Sequence, residues 1–382
     1  MPDGRRCIVV GAGLLGLAAA WALARRGWQV QVMEAAGAPG HERSGSKGDA
    51  RIFRLGYPQP HYVEMAVLAR DDWRDLERAT GRRLFHATGQ LTLGDEATLR
   101  AIAGALGAAG APVEQVSAVA AATPFPGITA TGSVLVEAQS GVLAADECLR
   151  ALRQDADFEI HTGHRVTSVR DSPGAAVVTT AGGGVVETEI VVCCAGPATL
   201  GLLEVDTSVT TPSSLPVAYF VPRRPHDAAP PVFIEWGDDM FYGLPVFGDG
   251  PHGGTYKVSQ HTPGRILQGF DPADPAPLGR PDPVQLASLT GVVERLLPSL
   301  EPRAVATERC VYDNSVDNDF VLDRVGRVVV GCGTSGHAFK FGPLLGRLLA
   351  DLAEGVRPAV DLARFGLQRG TTPAPGPAPG AR

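Results

Sequence analysis

"RRCIVVGAGLLGLAAAWALARRGWQVQVMEAAG", residues 5–37, decides the fold of this chain because it forms one complete strand–turn–helix–strand pattern. The apolar run 7–10 predicts a buried strand, the alanine- and leucine-rich run 14–26 predicts a helix, and residues 29–33 predict a second strand. Gly27 suits the left-handed residue that follows many helices. A strand–helix–strand unit of this kind is typical of α/β domains with a parallel sheet.

The turn of this unit carries a dinucleotide motif. Gly11, Gly13 and Gly16 form GxGxxG, in which the first glycine allows the tight turn, the second lets a pyrophosphate approach, and the third lets helix and strand pack closely. Glu34 ends the second strand, where an acceptor for ribose hydroxyls belongs, and the helix N-terminus favours an anion. The motif predicts a dinucleotide site but does not separate NAD from FAD.

Length and composition exclude several classes of protein. The 382 residues are 44% hydrophobic and 20% charged, which suits two globular domains or one elaborated domain. A net charge of −7 argues against a nucleic-acid partner. The longest apolar run, 11–24, is too short to span a bilayer, and no signal peptide precedes the first motif. We therefore expect a cytoplasmic protein with no membrane segment.

The cysteines predict neither a disulfide framework nor a metal site, since no pair has zinc-finger spacing and no HExxH occurs. The chain contains six of them: Cys7, Cys148, Cys193, Cys194, Cys310 and Cys332. His161 and His164 precede a predicted strand at a turn, and a surface role is favoured for them over a metal. Read alone, Cys310 is best interpreted as a buried thiol.

A second unusual segment is "GCGTSGHAFKFGPLLG", residues 331–346. A surface linker has no use for Phe339 and Phe341, and a core segment has no use for an unpaired Lys340, which is costly to desolvate. The segment is better explained as a loop that surrounds a bound, partly anionic ligand. Pro343 suits the first turn of the helix that follows.

Four segments, in order, resemble the sarcosine oxidase and N-methyltryptophan oxidase family, which belongs to the D-amino-acid-oxidase-like flavoproteins. They are "GSKGDARIFRLGY" (45–57), "HYVEMAVLARDDW" (61–73), "ERCVYDNSVDNDFVLD" (308–323) and "GTSGHAFKFGP" (333–343). The resemblance covers roughly residues 5–365 and implies FAD rather than NAD.

The resemblance also implies roles for individual residues. For catalysis it implies Lys257 in the reaction with oxygen, Arg51 beside the flavin, and the active-site histidine His261. For substrate binding it implies a carboxylate clamp of Arg54 and Lys340, with Tyr57 and Tyr242 lining the cavity. For the cofactor it implies a thioether bond at Cys310 and contacts from Gly11, Gly13, Gly16, Glu34, Lys47, Val166, Gly336 and Phe341.

Elementary chemistry agrees with two of these roles. A carboxylate favours a planar bidentate donor such as Arg54, to which Lys340 adds a point charge. Oxygen reduction develops negative charge, which a fixed cation such as Lys257 stabilises.

Two features depart from the family. Lys47 replaces the family's histidine, which adds a possible charge near the flavin, and the segment 242–257 is longer by a few residues. These differences bear on the alignment of Lys257 and on the range of substrates.

The predicted fold class is α/β, with a Rossmann-like FAD-binding domain interleaved with a substrate domain on a mostly antiparallel sheet with helices. We expect residues 1–82, 144–212 and 306–370 to form the FAD-binding domain, and 83–143 and 213–305 to form the substrate domain. The proline-rich tail, 371–382, is predicted to be disordered.

The sequence therefore predicts a monomeric FAD-dependent oxidase of an amino acid, with oxygen as its second substrate and no metal. The favoured substrate carries a secondary amine, and no residue is named as an obligatory base. Three alternatives stay open: an enzyme acting on a cyclic imino acid or another amine of secondary metabolism, a dehydrogenase with a different electron acceptor, and a flavin-binding protein without turnover.

Overall fold

The computed structural model describes residues 5–203, 205–224, 229–261, 264–274 and 276–369. The predicted disordered tail at 371–382 lies outside this range. The α-helices of the described residues are α1 (Leu14–Arg25), α2 (Pro60–Thr80), α3 (Glu96–Ala108), α4 (Ala118–Ala121), α5 (Ala145–Gln154), α6 (Pro283–Leu296) and α7 (Gly342–Glu354).

The strands fall into four sheets. In chain order they are β1 (Arg6–Val10), β2 (Gln29–Glu34), β3 (Ala50–Phe53), β4 (Phe85–His86), β5 (Gln90–Leu93), β6 (Glu114–Ser117), β7 (Ser133–Glu137), β8 (Gly141–Ala144), β9 (Glu159–Thr162), β10 (Val166–Ser172), β11 (Ala175–Thr180), β12 (Val185–Thr188), β13 (Ile190–Cys193), β14 (Thr210–Phe220), β15 (Val232–Glu235), β16 (Phe241–Pro245), β17 (Tyr256–Gln260), β18 (Arg265–Ile266), β19 (Ala306–Ser315), β20 (Val321–Val325) and β21 (Val328–Cys332).

The first sheet has six strands in the order β20–β21–β13–β1–β2–β9. Its pairings are parallel except for β20 with β21. Strand β1 is apolar and buried from residue 7 to residue 10 because both faces of the sheet are covered. Val9 belongs to the core shared with α1 and α7, whereas Ile8 belongs to the core shared with β10 and β11. The sheet therefore lies between a helical layer and a three-stranded antiparallel layer, β10–β11–β12.

The largest sheet has nine strands, of which eight follow the order β18–β14–β17–β16–β15–β5–β7–β6 and the ninth, β19, pairs with β14. Only the β5–β15 pairing is parallel. One face packs on α6, where Val258 shares a core with Leu289 and Val293. Because strand side chains alternate between faces, Lys257 points to the opposite face of this sheet, which lines the site described below.

The predicted fold class is confirmed: a parallel-stranded α/β unit adjoins a mostly antiparallel sheet. A smaller sheet has the strand order β3–β8–β4. In the sequence, each of its strands lies between strands of the two larger sheets. Strand β19 falls inside the segment predicted for the FAD-binding domain, yet it pairs along its length with β14 of the nine-stranded sheet. The division of the chain into the predicted domain segments remains a proposal. Among the described helices, none is both long and apolar enough to cross a membrane.

Candidate active site

A long cleft opens at the carboxyl ends of β1 and β2. Gly11 adopts φ +97°, and a Cβ there would lie 2.5 Å from the carbonyl oxygen of Cys194, so only glycine fits. Gly13 lines the cleft, and the first helical N–H of α1, on Leu14, donates to Ser46 Oγ at 2.9 Å. A Cβ on Gly16 would lie 1.9 Å from the carbonyl of Gly11, which explains the third glycine of the motif by close packing.

Glu34 stands at the end of β2 on the wall of this cleft. Its carboxylate is 6% exposed and accepts hydrogen bonds from the backbone N–H groups of Ala12, at 2.7 Å, and Ala36, at 2.8 Å. These bonds fix the carboxylate beside the glycine turn, where the sequence predicts an acceptor for ribose hydroxyls. Val166 lines the same end of the cleft.

The cleft has the shape and the walls that a dinucleotide needs. Its space free of protein atoms, part of which is open to solvent, is about 1450 Å³ and runs from Glu34 and Val166 past the glycine turn to Cys310. Backbone N–H groups at the start of α1 and the absence of side chains at Gly11 and Gly13 leave room for phosphates at the helix terminus. The residues present therefore fit FAD.

A second, smaller cavity of about 540 Å³ adjoins the cleft. Six residues line both spaces: Arg51, Tyr242, Lys257, Tyr312, Gly336 and Phe339. The two cavities are therefore neighbours with a common wall, which is the arrangement required when a cofactor must meet a substrate.

Two buried cations face the smaller cavity. Arg54 and Lys340 are each 5% exposed and both line it, and no Asp or Glu is present among the described lining residues. Arg54 donates to the carbonyl of Gly56 at 2.8 Å and stacks over the Tyr57 ring, with 4.0 Å from its guanidinium carbon to the ring centre. Lys340 Nζ donates to the carbonyl of His337 at 2.7 Å.

The electrostatics of this cavity favour an incoming anion. Burial, and then the charge of Arg54, hold the pKa of Lys340 well below its ordinary value. Burial, followed by the charges of Arg54 and Lys340, lowers the pKa of His261 to about 3, and burial and Lys340 likewise lower the pKa of His337. The cavity resists further positive charge, so a bound carboxylate would relieve the repulsion.

Lys257 is the third buried cation and reaches the wall between the two cavities. It is 2% exposed and lies opposite Tyr219 on β14 and Leu244 on β16. Burial raises the pKa of Glu308, but the charge of Lys257 and hydrogen bonds from Lys47 and Tyr219 outweigh it and bring the pKa to about 2. Glu308 is thus an ionised carboxylate that acts on Lys257 through space.

Cys310 lines the cleft as a free, partly exposed thiol, whereas the other five cysteines are free and buried. Arg51 lines both spaces and is fixed by donating to the carbonyls of Ala50, at 3.0 Å, and Gly45, at 3.1 Å. His261 and Tyr242 line the smaller cavity, and His261 Nδ1 lies 3.1 Å from the Tyr312 hydroxyl.

Four predicted site residues lie away from both cavity walls: Gly16, which packs against Gly11, and Lys47, Tyr57 and Phe341. Lys47 forms ion pairs with Glu42 at 2.7 Å and Glu308 at 2.8 Å. Tyr57 lies behind Arg54, and its hydroxyl is 3.3 Å from His337 Nδ1. Phe341 is fully buried in the core around α1 and α7. The direct contacts predicted for these residues remain predictions.

Several lining residues were not singled out from the sequence. Tyr312 lines both spaces, His337 lines the smaller cavity, and Asp313 lines the cleft. Tyr312 and Asp313 lie inside segment 308–323 and His337 lies inside segment 333–343, both of which carried the resemblance. Nothing in the local sequence marks Asp313.

A Rossmann-like cleft that shares a wall with a second cavity is typical of dinucleotide-dependent oxidoreductases. A family model described as DAO, FAD dependent oxidoreductase, matches residues 6–352. The chain belongs to this family, which confirms the predicted resemblance and the use of FAD.

The similar proteins are related over nearly their whole length. Peroxisomal sarcosine oxidase of Mus musculus is 31% identical, with 96% of each chain covered. N-methyl-L-tryptophan oxidase of Yersinia pestis (strain Pestoides F) is 28% identical, with 95% of this chain and 98% of that one covered. The structure of NikD, an unusual amino acid oxidase essential for nikkomycin biosynthesis, is 26% identical with a TM-score of 0.79 and covers 95% of this chain and 97% of NikD. The predicted enzyme class, an FAD-dependent amine oxidase acting on CH–NH donors, is confirmed.

Proposed function

We propose that this enzyme oxidises an amino acid with a secondary amine and uses oxygen as the electron acceptor. The observation that carries the proposal is the pair of buried cations, Arg54 and Lys340, in a cavity that shares a wall with the FAD cleft. The names of the relatives support a substrate of this kind, since both sarcosine and N-methyltryptophan are N-methylated amino acids.

The substrate carboxylate would bind between Arg54 and Lys340. Two cations at one cavity repel each other unless an anion separates them, and no described lining residue supplies a carboxylate. The Arg54 guanidinium is already oriented by Gly56 and Tyr57, so it offers a fixed fork to both carboxylate oxygens. The anion would also favour the charged form of Lys340.

Chemistry at the amine requires its neutral form, whose lone pair assists loss of hydride from the adjacent carbon. FAD, when bound, would supply the hydride acceptor and the means of reducing oxygen to hydrogen peroxide. The resulting imine then hydrolyses in water. The low pKa of His261 keeps its imidazole neutral near the amine, so the cavity does not add a competing cation.

Away from its charged and polar residues, the smaller cavity has an apolar part that would face the substituent on the amine. Ile52, Ile234, Met240 and Leu244 line it together with Phe339. A second charged group on the substrate would be desolvated against these side chains at a high free-energy cost. We therefore propose an uncharged substituent, and a cyclic imino acid, whose ring is apolar, is the second candidate.

The covalent attachment of FAD at Cys310 is part of the proposal. Its support is a thiol on the cleft wall that is more exposed than the other cysteines. Acid denaturation followed by centrifugation should leave a yellow pellet from wild-type protein and a colourless one from Cys310→Ser. A yellow supernatant from wild type would show that the flavin is not covalently attached.

The proposed substrate class is tested by comparing each amino acid with its decarboxylated amine. We expect peroxide production from N-methyl amino acids or cyclic imino acids, and a loss of kcat/KM when the carboxylate is absent. Each of Arg54→Lys and Lys340→Met should weaken binding of the acid by roughly ten- to a hundredfold, without a comparable loss for the amine. If wild type oxidises the uncharged amine as well as the acid, the carboxylate clamp does not exist.

We also propose that the protein is monomeric and located in the cytoplasm. A bacterial relative of 28% identity, from Bacillus sp. (strain B-0618), is named monomeric sarcosine oxidase.

A further inference from the structure

Asp313 is a buried carboxylate on the wall of the FAD cleft that the proposed chemistry does not use. It lies on β19, three residues after Cys310, and is 4% exposed. Burial of an ionised carboxylate without compensation is costly, so its hydrogen-bond partners must be accounted for individually.

Only one of its two carboxylate oxygens is satisfied. Oδ2 accepts a hydrogen bond from the backbone N–H of Gly333 at 2.7 Å, whereas Oδ1 has no partner among the described residues. Burial raises the pKa of Asp313 to about 6, although the N–H groups of Gly333 and Thr334 oppose that shift. An unpaired buried acceptor of this kind indicates a donor that comes from outside the chain.

The Thr334 N–H lies near enough to lower the pKa of Asp313, but no hydrogen bond joins it to Oδ1, and the described residues around Asp313 supply no other donor to that atom. The residue opposite on β14 is Pro212, which has no N–H. The Cys332 thiol lies close enough for the Asp313 charge to contribute, after burial, to raising its pKa. Within the described ranges, no lysine, arginine or histidine nitrogen lies within 4.0 Å of the carboxylate.

The loop that holds the carboxylate is conformationally constrained. Gly333, Ser335 and Gly336 all have positive φ, at 60°, 45° and 71°, and the main-chain carbonyl of Asp313 accepts the Ser335 N–H at 2.7 Å. A non-glycine residue with positive φ is uncommon and persists where its surroundings fix it. The loop that donates the Gly333 N–H to the carboxylate is therefore fixed beside Asp313, a residue of the cleft wall.

We propose that Asp313 Oδ1 accepts a hydrogen bond from an N–H or O–H group of FAD and is a cofactor ligand. The proposal rests on the family's use of FAD and not on the identity of the amine substrate. Candidate donors are the ring N3–H and the hydroxyls of the ribityl chain.

The variant Asp313→Asn tests the direction of this hydrogen bond. The Gly333 N–H needs an acceptor, so it fixes the amide with its oxygen at the Oδ2 position. The amide NH₂ then occupies the Oδ1 position. Because it is itself a donor, it cannot accept a hydrogen bond from the donor on FAD. Full-length protein carrying Cys310→Ser is used throughout, so that FAD exchange can be measured by flavin fluorescence without a covalent bond.

We expect Asp313→Asn to raise the dissociation constant of FAD by about tenfold or more. Asp323→Asn is the matched control, because Asp323 also accepts backbone N–H groups, from Arg324 and Leu367, but lies outside the cleft walls. The affinity of the Asp323→Asn variant for FAD should stay within about twofold of that of the Cys310→Ser protein from which it is made. Unchanged or tighter binding by Asp313→Asn would overturn the proposal.

A second arm leaves Asp313 intact and changes the cofactor. Binding of 3-methyl-FAD, which lacks the ring N–H, and of analogues that each lack one ribityl hydroxyl is compared with FAD. One analogue should bind about tenfold more weakly, which also identifies the donor. Equal binding of all analogues would refute the hydrogen bond even if Asp313→Asn failed to fold.

Discussion

Lys257 is the residue whose position most directly suggests a role in the reaction with oxygen. It is 2% exposed, lines both cavities, and forms no ion pair within 4.0 Å with any described residue. A fixed cation at this wall would stabilise negative charge as it develops on oxygen. We expect Lys257→Met to slow the oxygen half-reaction by ~10²–10³, measured by stopped-flow, with anaerobic oxidation of substrate much less affected.

Lys47→Met is a matched control for this experiment. Lys47 is a half-buried lysine that also interacts with Glu308, but it lies off both cavity walls and its charge is compensated by Glu42 and Glu308. Its removal should leave most of the oxygen reactivity. Equal losses in the two half-reactions of Lys257→Met would refute a specific role with oxygen.

His261 gives the structure a defined pH dependence. Burial, and then Arg54 and Lys340, lower its pKa from 6.5 to about 3, so between these values the unfolded chain binds a proton that the folded chain does not. Folding stability is therefore lost as the pH falls through this window.

Replacement of His261 by Gln removes this contribution. The decrease in the free energy of unfolding between pH 7.5 and pH 5.5, measured in urea, should become smaller by about 1 kcal/mol. His164→Gln, at an exposed turn, controls for the substitution itself. A decrease as large as that of wild type would show that His261 is protonated in the folded protein.

Single residues also show where sequence reasoning reached its limit. Phe339 and Phe341 are equivalent in the sequence, but they lie in one 3₁₀ turn that directs Phe339 to the cavities and Phe341 into the core. Asp313 has its partner 20 residues away at Gly333, a pairing that depends on how β19 meets the loop. No local pattern contains this information.

At the scale of elements, the contact between helices α1 and α7 requires a residue without a side chain, Gly346, on α7. A Cβ on Gly346 would lie 2.3 Å from the carbonyl oxygen of Ala18, a backbone atom that cannot move alone. Gly346→Ala should therefore separate the helices and reduce stability by about 1–3 kcal/mol in urea unfolding.

Gly104→Ala is the matched control, since Gly104 lies inside α3 and a Cβ there has nothing within 4 Å. It should stabilise the protein by roughly 0.5–1 kcal/mol, because alanine favours a helix over glycine. Similar effects of the two substitutions would mean that close packing does not explain Gly346.

Elements with strong local signals were predicted well from the sequence. Helix α1 was expected at 14–26 and extends over Leu14–Arg25, and β2 was expected at 29–33 and extends over Gln29–Glu34. Pairing between distant strands could not be predicted from the sequence. Strand β19 begins directly after a predicted domain boundary, yet it pairs with β14 in the nine-stranded sheet. Strand order depends on contacts that the chain makes only after it folds.

At the scale of the whole molecule, the described surface favours a monomer. The exposed large apolar residues include Val119, Val185, Ile266 and Val284, which belong to four different elements. Scattered apolar residues of this kind are normal on a monomeric surface. Sedimentation equilibrium at micromolar concentration should give a mass near 39.8 kDa plus FAD. A concentration-dependent doubling of the mass would contradict this expectation.

The candidate site as a whole could be assembled only through the family resemblance. Its members come from β3, from β16 and β17, from β19, and from the loop before α7. The sequence supplied the glycine turn and Glu34 from local chemistry, because that unit is continuous. Local chemistry could not predict that Arg54 and Lys340 line the same cavity, because their proximity depends on the topology of the fold.

The six-stranded sheet has a consequence for the order of synthesis. It takes β1 and β2 from the start of the chain, β9 and β13 from the middle, and β20 and β21 from close to the end, with α7 completing the layer on α1. A nascent chain that has emerged from the ribosome only to residue 300 can place β13 beside β1, but it lacks β21, the Cys310 thiol and the 333–336 loop. Apolar faces of β13 and α1 then stay exposed to chaperones or to aggregation. The walls of the FAD cleft are therefore complete only after nearly nine tenths of the polypeptide has been made, and we expect cofactor capture late in translation or after it.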